Sequence, residues 1–163
     1  NDGSLLMYLR STLGWPFAAV SRDEGASWPT PGLSSLIAPA APTYLTRLPD
    51  SGNLLVIWNN NFNPSTTAVV LPEKDDDRGD AKSIAIRGLS RCPLLCAVSA
   101  DEGQSWGLPL ALESDLNYAW AYPGVIFTKD HALIHYFRTP TLSQGRELML
   151  TRIPLPWFEP SLA

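Results

Sequence analysis

With 163 residues, 45% of them hydrophobic, the chain has the apolar content for one domain with a packed core, which excludes a disordered polymer. A net charge of -4 supplies no basic surface for nucleic acid, and the apolar runs are strand-sized, too short to span a bilayer as helices. Fifteen prolines and eleven glycines favour many short strands and turns over long helices.

In chain order, a turn and apolar run at Asp2-Gly3-Ser4-Leu5-Leu6-Met7-Tyr8-Leu9-Arg10 is followed by a second run from Phe17 to Val20. Strands are predicted next at Thr43–Leu48 and Leu54–Trp58. An insertion from Asn60 to Ser90 precedes a strand at Pro93–Val98, and another is expected near Pro109–Leu112. The last three are Gly124–Thr128, the run after Asp130, and Leu148–Ile153. The first turn-and-run unit lines up with Ser51-Gly52-Asn53-Leu54-Leu55-Val56-Ile57-Trp58-Asn59 and with Asp130-His131-Ala132-Leu133-Ile134-His135-Tyr136-Phe137-Arg138.

A sharper repeat is S-x-D-E-G-x-S-W, present as Ser21–Trp28 and Ser99–Trp106, each copy directly after an apolar run. Its chemistry is that of a hairpin turn. Asp bonds backbone N–H groups just ahead of it, Gly supplies a positive φ, and Trp opens the return strand with a large apolar body. Asp23 and Asp101 are therefore expected as turn staples, with Gly25, Gly103, Trp28 and Trp106 completing the two turns. Cys92 and Cys96 lie in one predicted strand, roughly 13 Å apart when extended, too far for a disulfide, and free buried thiols are expected. The acidic run Glu73–Asp80 is either a calcium-type oxygen cluster or a solvated loop tip. No metal site and no cofactor is expected.

Repeated four-strand units indicate a propeller. With strands a to d in each blade, the middle unit is complete, the first lacks a, and the third has a, b and c. The expected blade parts are 1–38, 39–113 and 114–158, within one domain of 1–163 that reads as about half of a six-bladed ring. Antiparallel alternation puts every c–d turn, and so both S-x-D-E-G-x-S-W motifs, on one face. The ends of b strands and the starts of a and c strands lie on the other. Arg10 and Arg138 end b strands, Arg91 precedes a c strand and Tyr122 precedes an a strand, so the four converge on one rim, over which the 60–90 insertion also hangs. Arginines around a concave centre suit a substrate carboxylate, which the guanidinium fork grips bidentately. From spacing alone the reading as surface ion pairs is favoured over a clamp, and that of Tyr122 as edge packing over a site residue.

The two motifs match the Asp-box, and the chain resembles the C-terminal half of the sialidase (neuraminidase) superfamily, most closely its bacterial BNR-repeat-like branch. The likeness covers nearly everything except the insertion and the last few residues. It implies that Arg10, in Leu9-Arg10-Ser11, and Arg91, in Arg91-Cys92-Pro93-Leu94, are two of three arginines clamping a carboxylate. It implies that Tyr122, in Ala121-Tyr122, is the nucleophile: a neutral phenol is not repelled by the substrate's acid group as a carboxylate would be. Arg138 would stand beside this site, and Trp120 would lie near it, stacking on the sugar or packing the core. The implied function is a glycoside hydrolase acting on an acidic sugar such as a terminal sialic acid. The alternatives are a non-catalytic carbohydrate-binding propeller and a half-propeller that completes itself by oligomerisation. Three departures bear on this. The family's third arginine, acid Asp and base Glu precede the region covered, so this chain alone is expected to show no turnover. Arg138 stands where the family has a Glu, and Pro123 where it has a Ser. The implied partners are an acidic carbohydrate and the missing half of the ring or further copies. The family setting is secreted or periplasmic, while free cysteines are equally compatible with cytoplasm.

Overall fold

The computed structural model describes residues 3–60, 91–141 and 145–159. Ten strands form there: β1 (Leu5–Leu9), β2 (Phe17–Ser21), β3 (Gly32–Leu33), β4 (Tyr44–Arg47), β5 (Leu54–Asn59), β6 (Leu94–Ser99), β7 (Leu110–Glu113), β8 (Tyr118–Phe127), β9 (His131–Pro140) and β10 (Glu147–Pro154). One 3-10 turn follows at Leu155–Phe158, and no α-helix occurs among the described residues. The strands make three antiparallel sheets in the orders β1-β2-β3, β4-β5-β6-β7 and β8-β9-β10. The all-β expectation is thus met, with the strands in antiparallel sheets of three, four and three. The acidic run Glu73–Asp80 and the rest of the insertion after Asn60 lie outside the described residues.

The middle sheet is covered on both faces, as the unbroken apolar run of β5 requires. Side chains alternate across a strand. Leu55 and Ile57 therefore join a cluster with Leu94, Cys96, Trp120, Ile134 and Tyr136 against the third sheet. Val56 and Trp58 join Leu95 and Ala97 on the other face, with Tyr8 of the first sheet packed against them. Cys92 and Cys96 are free and buried, and burial pushes the Cys96 thiol up to about 12.

The Asp-box turns connect β2 to β3 and β6 to β7. In the first, the Ser21 hydroxyl donates to Asp23 Oδ1 at 2.7 Å, and its oxygen accepts the Gly25 N–H at 2.9 Å. Asp23 in turn accepts the Ser27 N–H at 2.9 Å and the Ser27 hydroxyl. Ser99, Asp101, Gly103 and Ser105 repeat the pattern. These donors, led by the Ser27 and Ser105 hydroxyls, hold both carboxyls at about 2. Gly25 and Gly103 take the positive φ the turn needs, 90° and 84°. The tryptophans then differ. Trp106 reaches back to the first sheet, its indole N–H donating to the Tyr8 hydroxyl at 3.2 Å. Trp28 meets no further sheet among the described residues, bonds the Gly25 carbonyl within its own turn and is 37% exposed.

One boundary differs from the sequence reading. β8 starts at Tyr118, not Gly124, because a bulge lets the strand run through Tyr122-Pro123: Ala121 pairs with Phe137 and Gly124 with His135, leaving two residues opposite Tyr136. Pro123 sits in that bulge, where no ladder N–H is needed.

Candidate functional site

Asn59, Arg91, Tyr118 and Glu147 all lie at one end of the sheets, which follows from strand direction, and Arg10 follows the last residue of β1 at the same end. The Asp-boxes lie at the other. A shallow hollow lined by Leu48, Pro49, Asp50, Leu155, Pro156 and Glu159 is also at that far end and holds no cationic side chain. The chemistry therefore points to the end that carries the arginines.

Tyr122 and Arg91 come together there from adjacent sheets, with the Arg91 Cζ 5.6 Å from the centre of the Tyr122 ring. The bulge aims the phenol. Tyr122 has φ 56°, a left-handed conformation that a tyrosine adopts only when its surroundings impose it, at a cost of about 1–3 kcal/mol. Its side chain leaves the regular in-and-out alternation of β8, and the residue stays 43% exposed. Phe137 braces it edge-on, ring centres 6.4 Å apart. Arg146 also lies over Phe137, its Cζ 5.3 Å from the ring centre.

Arg91 is half-buried at the edge of the middle sheet. Burial is the main cause that pulls its pKa down, offset by the Tyr122 phenol beside it, and the positive charges of Arg10 and Arg146 pull it further down. Its own oxygen-side contact is weak, an Nη2 donating to the Ala40 carbonyl at 3.5 Å. No carboxylate among the described residues pairs with Arg10, Arg91 or Arg146. Arg91 therefore meets the phenol with no countercharge among the described residues.

The cleft is stitched by Asn59 at the end of β5. Its Nδ2 donates toward the carbonyls of Arg91 (2.8 Å), Trp120 (3.1 Å) and Pro93 (3.3 Å). The Trp120 N–H donates to the Arg91 carbonyl at 3.0 Å. Backbone on both sides of the Arg91–Tyr122 contact is thus fixed by one amide, which is 1% exposed.

Two expected site residues stand elsewhere. Trp120 is 2% exposed and lies in the core, edge-on to Tyr136 at 5.8 Å, so it offers no face to a sugar. Its pairing partner on β9 is Arg138, and alternation along β8 turns its side chain toward the middle sheet. Arg138 is neutralised by Glu147, with Nε donating to Oε2 at 2.7 Å, and its Cζ lies 4.7 Å over the Tyr118 ring. It is on the Trp120 side of the third sheet, away from Phe137. Asn59 and Arg146 were not singled out from sequence. Arg146 was within reach of the same strand-direction rule that selected Arg91, since both stand just before a c strand. Asn59 gives no such signal, because its role depends on three carbonyls from separate segments. Among the described residues, no three His, Cys, Asp or Glu side chains gather as a metal site.

An all-β chain of repeated antiparallel sheets, two of them carrying an Asp-box turn at one end, with arginines at the opposite end, defines a class of BNR-repeat proteins. The family model of the BNR repeat-like domain matches residues 1–136, and the chain belongs to that family, in keeping with the wider sialidase/BNR-repeat superfamily. No curated protein matches the chain. No helix among the described residues is long and apolar enough to cross a membrane.

Proposed function

We propose that this chain is part of a sialidase-like glycoside hydrolase that acts on an acidic sugar such as a terminal sialic acid. In this reading the three sheets are consecutive blades of a propeller. Arg10 and Arg91 hold the substrate's carboxylate, and Tyr122 is the nucleophile. The observation that carries it is the meeting of Arg91 and Tyr122, at 5.6 Å, at the end of the sheets where Arg10 also emerges. An arginine fork binds a carboxylate bidentately, and a desolvated fork binds it more strongly.

The chemistry would run as a displacement. The Tyr122 Oη bonds to the anomeric carbon as the glycosidic C–O bond breaks. The phenolic proton passes to a base and the leaving oxygen takes one from an acid. The family resemblance assigns those two roles to carboxylates ahead of residue 1. Water then releases the sugar in a second displacement. The strained, exposed placement of Tyr122 supports a functional role over a packing one.

A second reading, a carbohydrate-binding propeller without turnover, is favoured by one observation. Arg138, at the family's Glu position, is tied to Glu147, and no carboxylate among the described residues takes that Glu's place beside Arg10. Either reading calls for a cover over the outer face of the third sheet, where Ile126, Leu148 and Leu150 are exposed. That cover would be the rest of the ring or a second copy. The test is a crystal soaked with sialic acid, together with a fluorogenic sialoside assay. The proposal expects the carboxylate within hydrogen-bond reach of Arg10 and Arg91, with the anomeric carbon facing Tyr122. A ligand bound elsewhere, or no binding, refutes it. Binding without hydrolysis, in a chain that carries the N-terminal acid and base, selects the second reading.

A further inference from the structure

We propose that the outer face of the third sheet docks on the outer face of the first sheet of a second copy, repeating head to tail the contact that joins the sheets within one chain. The inference concerns packing and stands apart from either reading of the arginine-bearing end.

The template is the contact between the first and middle sheets. Leu6 and Tyr8 of β1 lean onto the second Asp-box. A Cβ added at Gly103 would lie 2.7 Å from Leu6 Cδ2, and the Trp106 indole N–H donates to the Tyr8 hydroxyl at 3.2 Å. The equivalent positions on the other sheets follow from pairing. Leu5 is opposite Ser21 and Leu54 opposite Ser99, both Asp-box serines, so Leu6 and Tyr8 match Leu55 and Ile57. Those two face the third sheet. The turn before β5 closes from the Leu48 N–H to the Asn53 carbonyl, and the turn before β9 from the Thr128 N–H to the His131 carbonyl. Asn53 thus matches His131, and Leu55 and Ile57 match Leu133 and His135. That is one residue earlier than the sequence repeat, which sets Tyr136 beside Tyr8.

Leu133 and His135 meet no further sheet among the described residues. Ile126 is opposite Leu133, Leu150 opposite His135 and Leu148 opposite Phe137, so all share this face, where the three are 68%, 69% and 67% exposed. The receiving half is free on the first sheet. Tyr8 faces the middle sheet, so alternation turns Leu5 outward, and pairing through Leu9 and Phe17 turns Leu33 outward too. Both are exposed. Trp28, the counterpart of Trp106, finds only its own turn's Gly25 carbonyl, and a Cβ added at Gly25 would meet only Leu5 and Trp28.

Two features fit a second copy to this pair of faces. His135 lies so close over Gly124 that a Cβ there would be 2.3 Å from its Nε2. It stands at the place of Tyr8 and offers the Trp28 indole of the second copy a ring nitrogen as acceptor. Arg152, opposite Leu133, stands where Val20 and Val98 stand on the other sheets. The turn it would meet carries Asp23 and Glu24 against one Arg22, so the charges are complementary. The contact is heterologous: it closes into a ring or grows as a filament, according to the rotation between copies.

Sedimentation velocity of the whole chain from about 1 to 100 µM reads the contact. Wild type should assemble as concentration rises. Leu148→Asp/Leu150→Asp on one face and Leu33→Asp on the other should each weaken assembly by about a hundredfold, because a carboxylate replaces an apolar anchor in the contact. All three positions are exposed in the single chain, so its circular dichroism should not change. An equimolar mixture of the two variants should form pairs, since the intact third sheet of one meets the intact first sheet of the other, which misfolded chains could not do. A wild type that stays monomeric over the whole range overturns the proposal. So does an assembly that Leu33→Asp leaves within twofold of wild type, which would mean that third sheets pair face to face, and so do variants that stay apart when mixed. None of these changes touches Arg91 or Tyr122, so sialic acid binding measured on the same proteins tests the site separately.

Discussion

Replacing Asn59 by leucine tests whether one buried amide holds the two sides of the cleft in alignment. Its Nδ2 lies 2.8, 3.1 and 3.3 Å from the carbonyls of Arg91, Trp120 and Pro93. An amide NH2 has two hydrogens, so these contacts amount to two bonds, one of them shared. After substitution, the Arg91 carbonyl keeps the Trp120 N–H at 3.0 Å and the Pro93 carbonyl keeps the Asn60 N–H at 3.3 Å. Leucine has the same number of side-chain heavy atoms but bulkier methyls, and this overpacking is offset by removal of the Asn59 Oδ1, which is buried without a partner, so the net loss is hydrogen bonding. Two bonds at about 1 kcal/mol each, plus a share of the desolvation cost at the Trp120 carbonyl, come to about 2–4 kcal/mol. For a chain of this length that is a fall in Tm of roughly 5–15 °C. Asn59→Asp should be worse at pH 7, because a carboxylate would face three carbonyl oxygens. It should recover in acid, where the protonated group donates again. Its folded pKa would lie above the unfolded value of about 3.9, so the recovery is complete below that value and is lost as pH rises through the folded one. Urea melts at pH 7 and pH 4, with sialic acid titration at pH 7, read both effects. An Asn59→Leu protein within about 0.5 kcal/mol of wild type would refute the energetic argument. A destabilised protein that still binds the acid unchanged would refute the alignment argument.

Three further outcomes are expected. Tyr122→Asn should leave stability unchanged or raise it by up to about 1 kcal/mol, since asparagine tolerates the left-handed backbone, while abolishing sialoside turnover in a chain with its acid and base; a loss of stability above about 1 kcal/mol would mean that the ring is packing and not functional. Trp106→Ala should cost about 2–3 kcal/mol in urea unfolding, because the indole bridges two sheets, whereas Trp28→Ala should cost under about 1 kcal/mol; equal costs would contradict the difference in their packing. Asp23 and Asp101, held at about 2, add stability that is present above pH about 4 and lost as pH falls toward 2, so Asp23→Asn/Asp101→Asn should flatten the acid limb of a urea-midpoint profile; an unchanged slope would remove the Asp-boxes as its cause.

What could be read from the sequence was local or periodic. The Asp-box turns form as expected because each is closed by residues within eight positions of one another. The middle sheet appears where its apolar runs are longest. What escaped was register. The extension of β8 back to Tyr118 depends on a bulge that absorbs Tyr122-Pro123, and a proline reads in sequence as a break. Trp120 looked like a rim aromatic because its depth depends on which way β8 alternates before the bulge. Arg138 looked free because Glu147, nine residues away, becomes its neighbour only when β9 and β10 pair. The hydroxyl hub formed by Ser21 and Ser99 was legible as a repeat, but not as a donor and acceptor at once.

The covering of β5 on both faces has a dynamic consequence. Its amides, with neighbours in both clusters, should exchange with solvent last, while the outer sheets, which expose Leu5, Val20 and Leu33 or Ile126, Leu148 and Leu150 among the described residues, open sooner. Arg91 and Asn59 belong to the slow body, and Arg10 rides on a faster flank. An anion held by Arg10 and Arg91 would then act as a strap across two units of unequal persistence. Protection would be gained in β1, where no ligand atom touches the backbone, and hardly at all in β5.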